Sequence, residues 1–131
     1  MMVKRVRLEI KPAAFSIFGI SSHENDYRLS WSINEQFGLS LAQDNSIKTS
    51  EDKDFTCFVH DDDHQTIILI SNRCENGFLL EKYKNFDFIL KIIPELIEEE
   101  TAKWLRNLKK VPLISAVLSI PVSKTIIKLL G

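Results

Sequence analysis

Two runs of β-branched and aromatic residues, 55–60 and 65–72, flank the polar tract Asp61-Asp62-Asp63-His64. Strand formers on both sides of a short aspartate-rich tract predict a β-hairpin. This feature constrains the chain most, because a hairpin must bury one face against something else. Pairing His60 with Gln65 would set Cys57 opposite Ile68, leaving Cys74 beyond the far end, so no Cys57–Cys74 disulfide is expected.

Other segments supply the cover. Residues 21–37 predict a helix: Leu29, Ile33 and Phe37 recur every fourth residue, Tyr27 and Trp31 form a neighbouring stripe, and Gly38 sits where a left-handed cap would close it. Ser21 and Glu24 have the spacing of a capping box. A second helix is expected to open at Pro94, with Glu95, Glu98, Glu99 and Glu100 at its start and Lys103, Arg106, Lys109 and Lys110 at its end. Its apolar face would be Ile97, Thr101, Trp104, Leu105 and Leu108. Strands are also expected at 3–10, 39–42, 78–80 and 86–92, with an exposed loop at 43–54 and a turn at Glu75-Asn76-Gly77. Within 86–92 the alternation places Phe86, Phe88, Leu90 and Ile92 inward, and Asp87 and Lys91 toward water. Residues 113–120 read as a buried strand between Pro112 and Pro121, and 122–130 as a short helix capped by Ser123. The sum is one α+β domain over residues 1–131. It has an antiparallel-dominated sheet of five to six strands and two main helices packed on one face, in β-α-β-β-β-β-α-β order.

Composition narrows the function classes. Among 131 residues, 18 acids nearly balance 17 bases, which disfavours nucleic-acid binding through phosphates. The cysteines, Cys57 and Cys74, are too few for a disulfide framework or a structural zinc site. The longest apolar run, residues 111–122, is shorter than the roughly 20 residues that span a bilayer, and the basic start lacks a cleavage site. A cytoplasmic protein is expected. No motif for a phosphate, a cofactor or a catalytic serine is present, so no cofactor is expected.

Three groups remain as candidate sites. His60, Asp62 and His64, with Asp61 and Asp63 beside them, offer imidazole and carboxylate ligands for a divalent metal; the competing reading is a solvated turn. Asp26, Tyr27, Arg28 and Trp31, near Glu24 and Asn34, form a polar and aromatic group. There Arg28 would clamp an anion or pair with a local carboxylate, and the aromatics would serve core or interface. Asp87, if buried, would need a partner such as Arg28 or Lys91.

The run Gly19-Ile20-Ser21-Ser22, continuing through Asp26-Tyr27-Arg28-Leu29 to Trp31 and Asn34, resembles the opening block of the bacterial IPExxVDY family. So do Ile70-Ser71-Asn72-Arg73, Gly77 and Phe86-Asp87-Phe88, the last in place of Val-Asp-Tyr, and Val111-Pro112 after the charged helix. The Ile-Pro-Glu half of that motif is missing, since Glu81-Lys82-Tyr83-Lys84-Asn85 precedes Phe86. The resemblance implies no activity and no catalytic residues. The residues therefore lead first to a non-enzymatic binding or protein-interaction module, expected as a homodimer. A small metal-binding or metal-dependent hydrolytic protein centred on His60 and His64 comes second, and a membrane-surface role for residues 111–130 third.

Overall fold

The structure, a computed structural model, describes residues 14–131; the strand expected at 3–10 lies outside the described residues. The elements are β1 (Ser16–Ser21), α1 (Asp26–Phe37), β2 (Ala42–Lys48), β3 (Asp54–Asp61), β4 (Thr66–Ser71), β5 (Arg73–Cys74), β6 (Gly77–Phe78), a 3-10 turn (Glu81–Tyr83), β7 (Phe88–Ile93), α2 (Glu98–Leu108), β8 (Ala116–Ile120) and α3 (Lys124–Leu130). Six strands form one sheet in the order β2-β3-β4-β7-β1-β8, with every neighbouring pair antiparallel. The fold is α+β, as the pattern of hairpins and amphipathic helices implies.

The centre of this sheet is apolar on both faces. Phe88, Leu90 and Ile92 of β7 join Phe18, Ile20, Ile67 and Leu69 on the first face, beneath Leu29 and Ile33 of α1 and Leu108 of α2. Phe37 and Trp104 stack at 4.4 Å between ring centroids and join the two helices. On the second face Ile89 joins Ile17, Ile70, Phe55 and Cys57, covered by Leu79, Leu80, Ile126 and Leu130. The two main helices share one face, and α3 with residues 79–83 closes the other.

That double cover explains the departures from the alternation rule. β1 falls in the apolar run 13–20, which reads as neither strand nor helix by periodicity, because a strand buried on both sides has no polar phase. Gly19 within it lies under the Phe86 ring: a Cβ there would meet ring carbons at 2.7 and 2.8 Å. Lys91, expected to face water, is buried instead. It sits in register between Ile17 and Ile68, its ammonium 4.7 Å from the Phe15 ring centroid, and Nζ donates to the Leu130 carbonyl at the end of α3.

Other corrections have local causes. Helix α1 begins at Asp26, because pairing with β8 extends β1 through Ser21. Asn25, not Ser21, is its cap, accepting from the Arg28 N–H at 2.9 Å. Gly38 closes it in the left-handed conformation at φ 66°, as expected. Helix α2 begins at Glu98 rather than Pro94, since the Glu95 and Leu96 N–H groups are spent on the Ala14 carbonyl and Ser16 Oγ. Ile97 thus lies outside the apolar face and is exposed. Residues 43–48, read as loop, form most of β2, an edge strand with almost nothing to bury. The 55–72 hairpin exists, but Asp62 and Gln65 close its turn, so His60 pairs with Ile67 and Cys57 with Ile70, two residues from the expected register. Strand β8 is shorter than 113–120 and exposed along most of its length. Ser123 caps α3, its Oγ accepting from the Ile126 N–H.

Burial pushes the Lys91 amine below its ordinary value of 10.5. Between the lowered value and 10.5 the unfolded chain binds more protons than the folded one, so this residue's contribution to stability rises with pH through that window. Urea unfolding of the wild type and Lys91→Met across pH 7 to 10.5 is expected to show the wild type gaining on the variant as pH rises. A pH-independent difference would mean that the amine keeps its ordinary affinity for protons.

Candidate functional site

Three residue groups singled out in the sequence take three different roles. At the tip of the β3–β4 hairpin, Asp62 Oδ1 accepts from the N–H groups of His64 and Gln65 at 2.7 and 3.0 Å. Its Oδ2 lies 2.7 Å from His60 Nε2. The other imidazole nitrogen, His60 Nδ1, accepts from the Ser40 N–H at 3.0 Å, which leaves Nε2 to donate to the carboxylate. The His60 hydrogen bond, followed by the one from His64, holds the Asp62 carboxyl below the usual carboxylate range. Both nitrogens of His60 and both oxygens of Asp62 are thus occupied, three of them within the turn and His60 Nδ1 by Ser40 ahead of β2. Among the described residues, no three of His, Cys, Asp and Glu gather where an ion could bind.

Asp87 sits at one end of the central strands and gathers the segments around it. Its Oδ2 accepts from the Ser22 N–H at 2.9 Å, and its Oδ1 pairs with Arg73. The partner is Arg73, not Arg28 or Lys91, and the carboxylate is half-buried rather than turned fully to water. Beside it, Asn72 is completely buried with every polar group occupied. Its side-chain amide donates to the carbonyls of Tyr83 and Phe86, its Oδ1 accepts from the Leu80 N–H, and its own N–H donates to the Asp87 carbonyl. This knot fixes the 79–87 segment against the sheet, a role of the kind buried, fully satisfied networks serve. The blocks around Gly19, Asn72 and Asp87 therefore meet in space. Arg73 and Ser22 were visible within those blocks, but no spacing in the sequence names them as partners of Asp87.

The third group lies on the outer side of α1. Asp26 accepts from Thr56 Oγ1 at 2.7 Å, and Arg28 pairs with Glu24 one turn away at 3.2 Å. Tyr27 and Trp31 are not core residues: they are 69% and 62% exposed. Leu29, Ser30 and Ile33 take the buried side of the helix, which turns the 27/31 stripe outward. A cleft of about 470 Å³ opens between these aromatics and Pro112 and Leu113. Asp87 does not join this group.

A larger cleft, about 680 Å³, lies on the second face between residues 49–53, 78–83 and 121–129. Its floor is Leu79, Leu80 and Ile126, and its rim carries Lys53 and Tyr83. Lys53 pairs with Glu51 at 3.1 Å, and this pairing raises its affinity for protons. The sequence offered no signal for this cleft, because its walls come from three separate segments. Both cysteines are free; Cys57 is buried, and burial pushes its thiol up. No helix among the described residues is long and apolar enough to cross a membrane. No protein-family model matches this sequence, and no curated protein is similar enough to count as a relative.

The geometry separates residues that build the molecule from those that face outward. Asn72→Ala and Asp87→Ala each leave buried or half-buried backbone and side-chain groups unpaired, at an expected cost of about 1–3 kcal/mol for each group. Trp31→Ala, on an exposed helix face, is expected to change stability by no more than about 0.5 kcal/mol. Chemical denaturation of the three variants measures the contrast; equal losses would contradict it.

Proposed function

We propose that this chain is a non-enzymatic protein-interaction module, cytoplasmic and homodimeric, and a divergent relative of the IPExxVDY proteins. The observation that carries the reading is the outward-facing Tyr27 and Trp31, one helical turn apart with Arg28 between them. Tyrosine, tryptophan and arginine are the residues in which binding energy concentrates at protein interfaces. Each large aromatic buries about 150–250 Å² when covered, worth several kcal/mol at roughly 25 cal/mol per Å² before the costs of association. The cleft beside them, walled by Pro112 and Leu113, offers a socket for one apolar side chain of a partner. Arg28 adds a charged group at the rim, held in place by Glu24. The family reading rests on the sequence blocks alone; of these, Ser22, Asn72 and Phe86-Asp87 are joined by hydrogen bonds, while Tyr27, Arg28 and Trp31 lie elsewhere, beside Pro112.

Immobilised wild-type protein and the Tyr27→Ala/Trp31→Ala double variant, both checked for a native melting transition, would be challenged with extract of the native host. Proteins retained by the wild type and absent from the variant are expected. Identical retained sets would contradict a role for this face.

A further inference from the structure

The two edges of the sheet are built differently. Edge strand β2 carries Gln43, Asp44, Asn45 and Lys48, and its pairing with β3 is broken by a bulge between Asp44 and Ile47. Charges and bulges are the devices by which sheets keep an edge from pairing with another chain. Edge strand β8, Ala116-Val117-Leu118-Ser119-Ile120, has no charge, no proline, no glycine and, over its paired length, no shift of register against β1. Among the described residues its outer side has no strand partner. Leu118 is 51% exposed there, opposite Gly19, which has no side chain to cover it.

We propose that β8 is the edge through which two copies of this chain pair, antiparallel about a two-fold axis near Leu118. This rests on the reading of the chain as an interaction module and names where its dimer forms. An unpaired strand edge is a row of N–H and C=O groups that forms a ready template for a second strand. A second copy fits, because the strand is self-complementary about its centre. Leu118 meets Leu118, Val117 meets Ser119 and Ala116 meets Ile120, so no like charges oppose each other. The chain's net charge of −1 adds little long-range repulsion between copies. Five residues a side make a small interface, and interfaces below about 1,200 Å² belong to weak, reversible complexes. The pairing is therefore concentration-dependent. It leaves Tyr27 and Trp31 on α1 free for a different protein.

Sedimentation of the full chain across micromolar to submillimolar concentrations tests this. The wild type is expected to shift from monomer to dimer. Leu118→Lys, which sets two ammonium groups against each other across the axis, is expected to weaken dimerisation by roughly tenfold or more. Tyr27→Ala/Trp31→Ala is expected to dimerise like the wild type. Leu118→Cys, independent of any loss of folding in the lysine variant, is expected to form a covalent dimer under mild oxidation faster than the wild type with its native cysteines. A wild type that stays monomeric throughout overturns the proposal. So does a Leu118→Lys protein that dimerises normally, or a Leu118→Cys protein that crosslinks no faster than the wild type. Loss of the dimer in the α1 variant alone would overturn the β8 interface while leaving the interaction reading intact.

Discussion

Burial of β7 on both faces is the constraint on which the rest of this structure depends. Five consecutive residues, Phe88 to Ile92, are buried, and the strand lies between β4 and β1 near the middle of the sheet. A strand so placed needs two covers. The first is the α1–α2 pair, joined by the Phe37–Trp104 stack. The second is assembled from pieces: residues 79–83, held down by Asn72, and α3, whose Leu130 carbonyl accepts from Lys91. This chain divides its apolar core between the two sides of one sheet. Lys91 shows the cost, a cation carried into the second core and stabilised there by a carbonyl and an aromatic ring.

The parts of the fold that local chemistry dictates were legible in the sequence. The 3.6-residue recurrence of Leu29, Ile33 and Phe37 marks α1, and Gly38 marks its end. Ser123 marks the start of α3, and the aspartate tract marks the β3–β4 hairpin. The parts that tertiary context decides were not. Strand β1 has no polar phase because both its sides are covered, and β2 has no apolar phase because little of it besides Ile47 is. Periodicity reports the contrast between two faces, so it fails wherever that contrast vanishes. The start of α2 and the hairpin register slipped for a related reason: the hydrogen bonds that set them come from Ala14, Ser16 and the Asp62 side chain.

The candidate site was legible in part. Tyr27 and Trp31 stand out as a stripe, but whether a stripe points to core or solvent depends on which neighbouring stripe the sheet claims, and here Leu29 and Ile33 win. His60, Asp62 and His64 have the chemistry of a metal site, but the Asp62 oxygens close the turn and hold His60, His60 Nδ1 takes the Ser40 N–H, and His64 enters only through its backbone N–H. Asp87 has a partner as its burial requires, though Arg73 reaches it from a strand that no helical or alternating pattern connects to it. Among the described residues the centre of the sheet is covered on both faces, while the aromatic side of α1 and the outer edge of β8 are left uncovered.

Residue-resolved amide hydrogen exchange, followed by NMR in dilute and concentrated protein, tests this account most directly. The slowest amides are predicted in β1, β4 and β7, where both faces are covered, with fast exchange along β2 at either concentration. Amides on the outer side of β8 should exchange quickly in dilute protein and slow as concentration rises. A β7 that exchanges as fast as β2, or a β8 edge whose protection ignores concentration, would contradict the sealed centre or the open edge respectively.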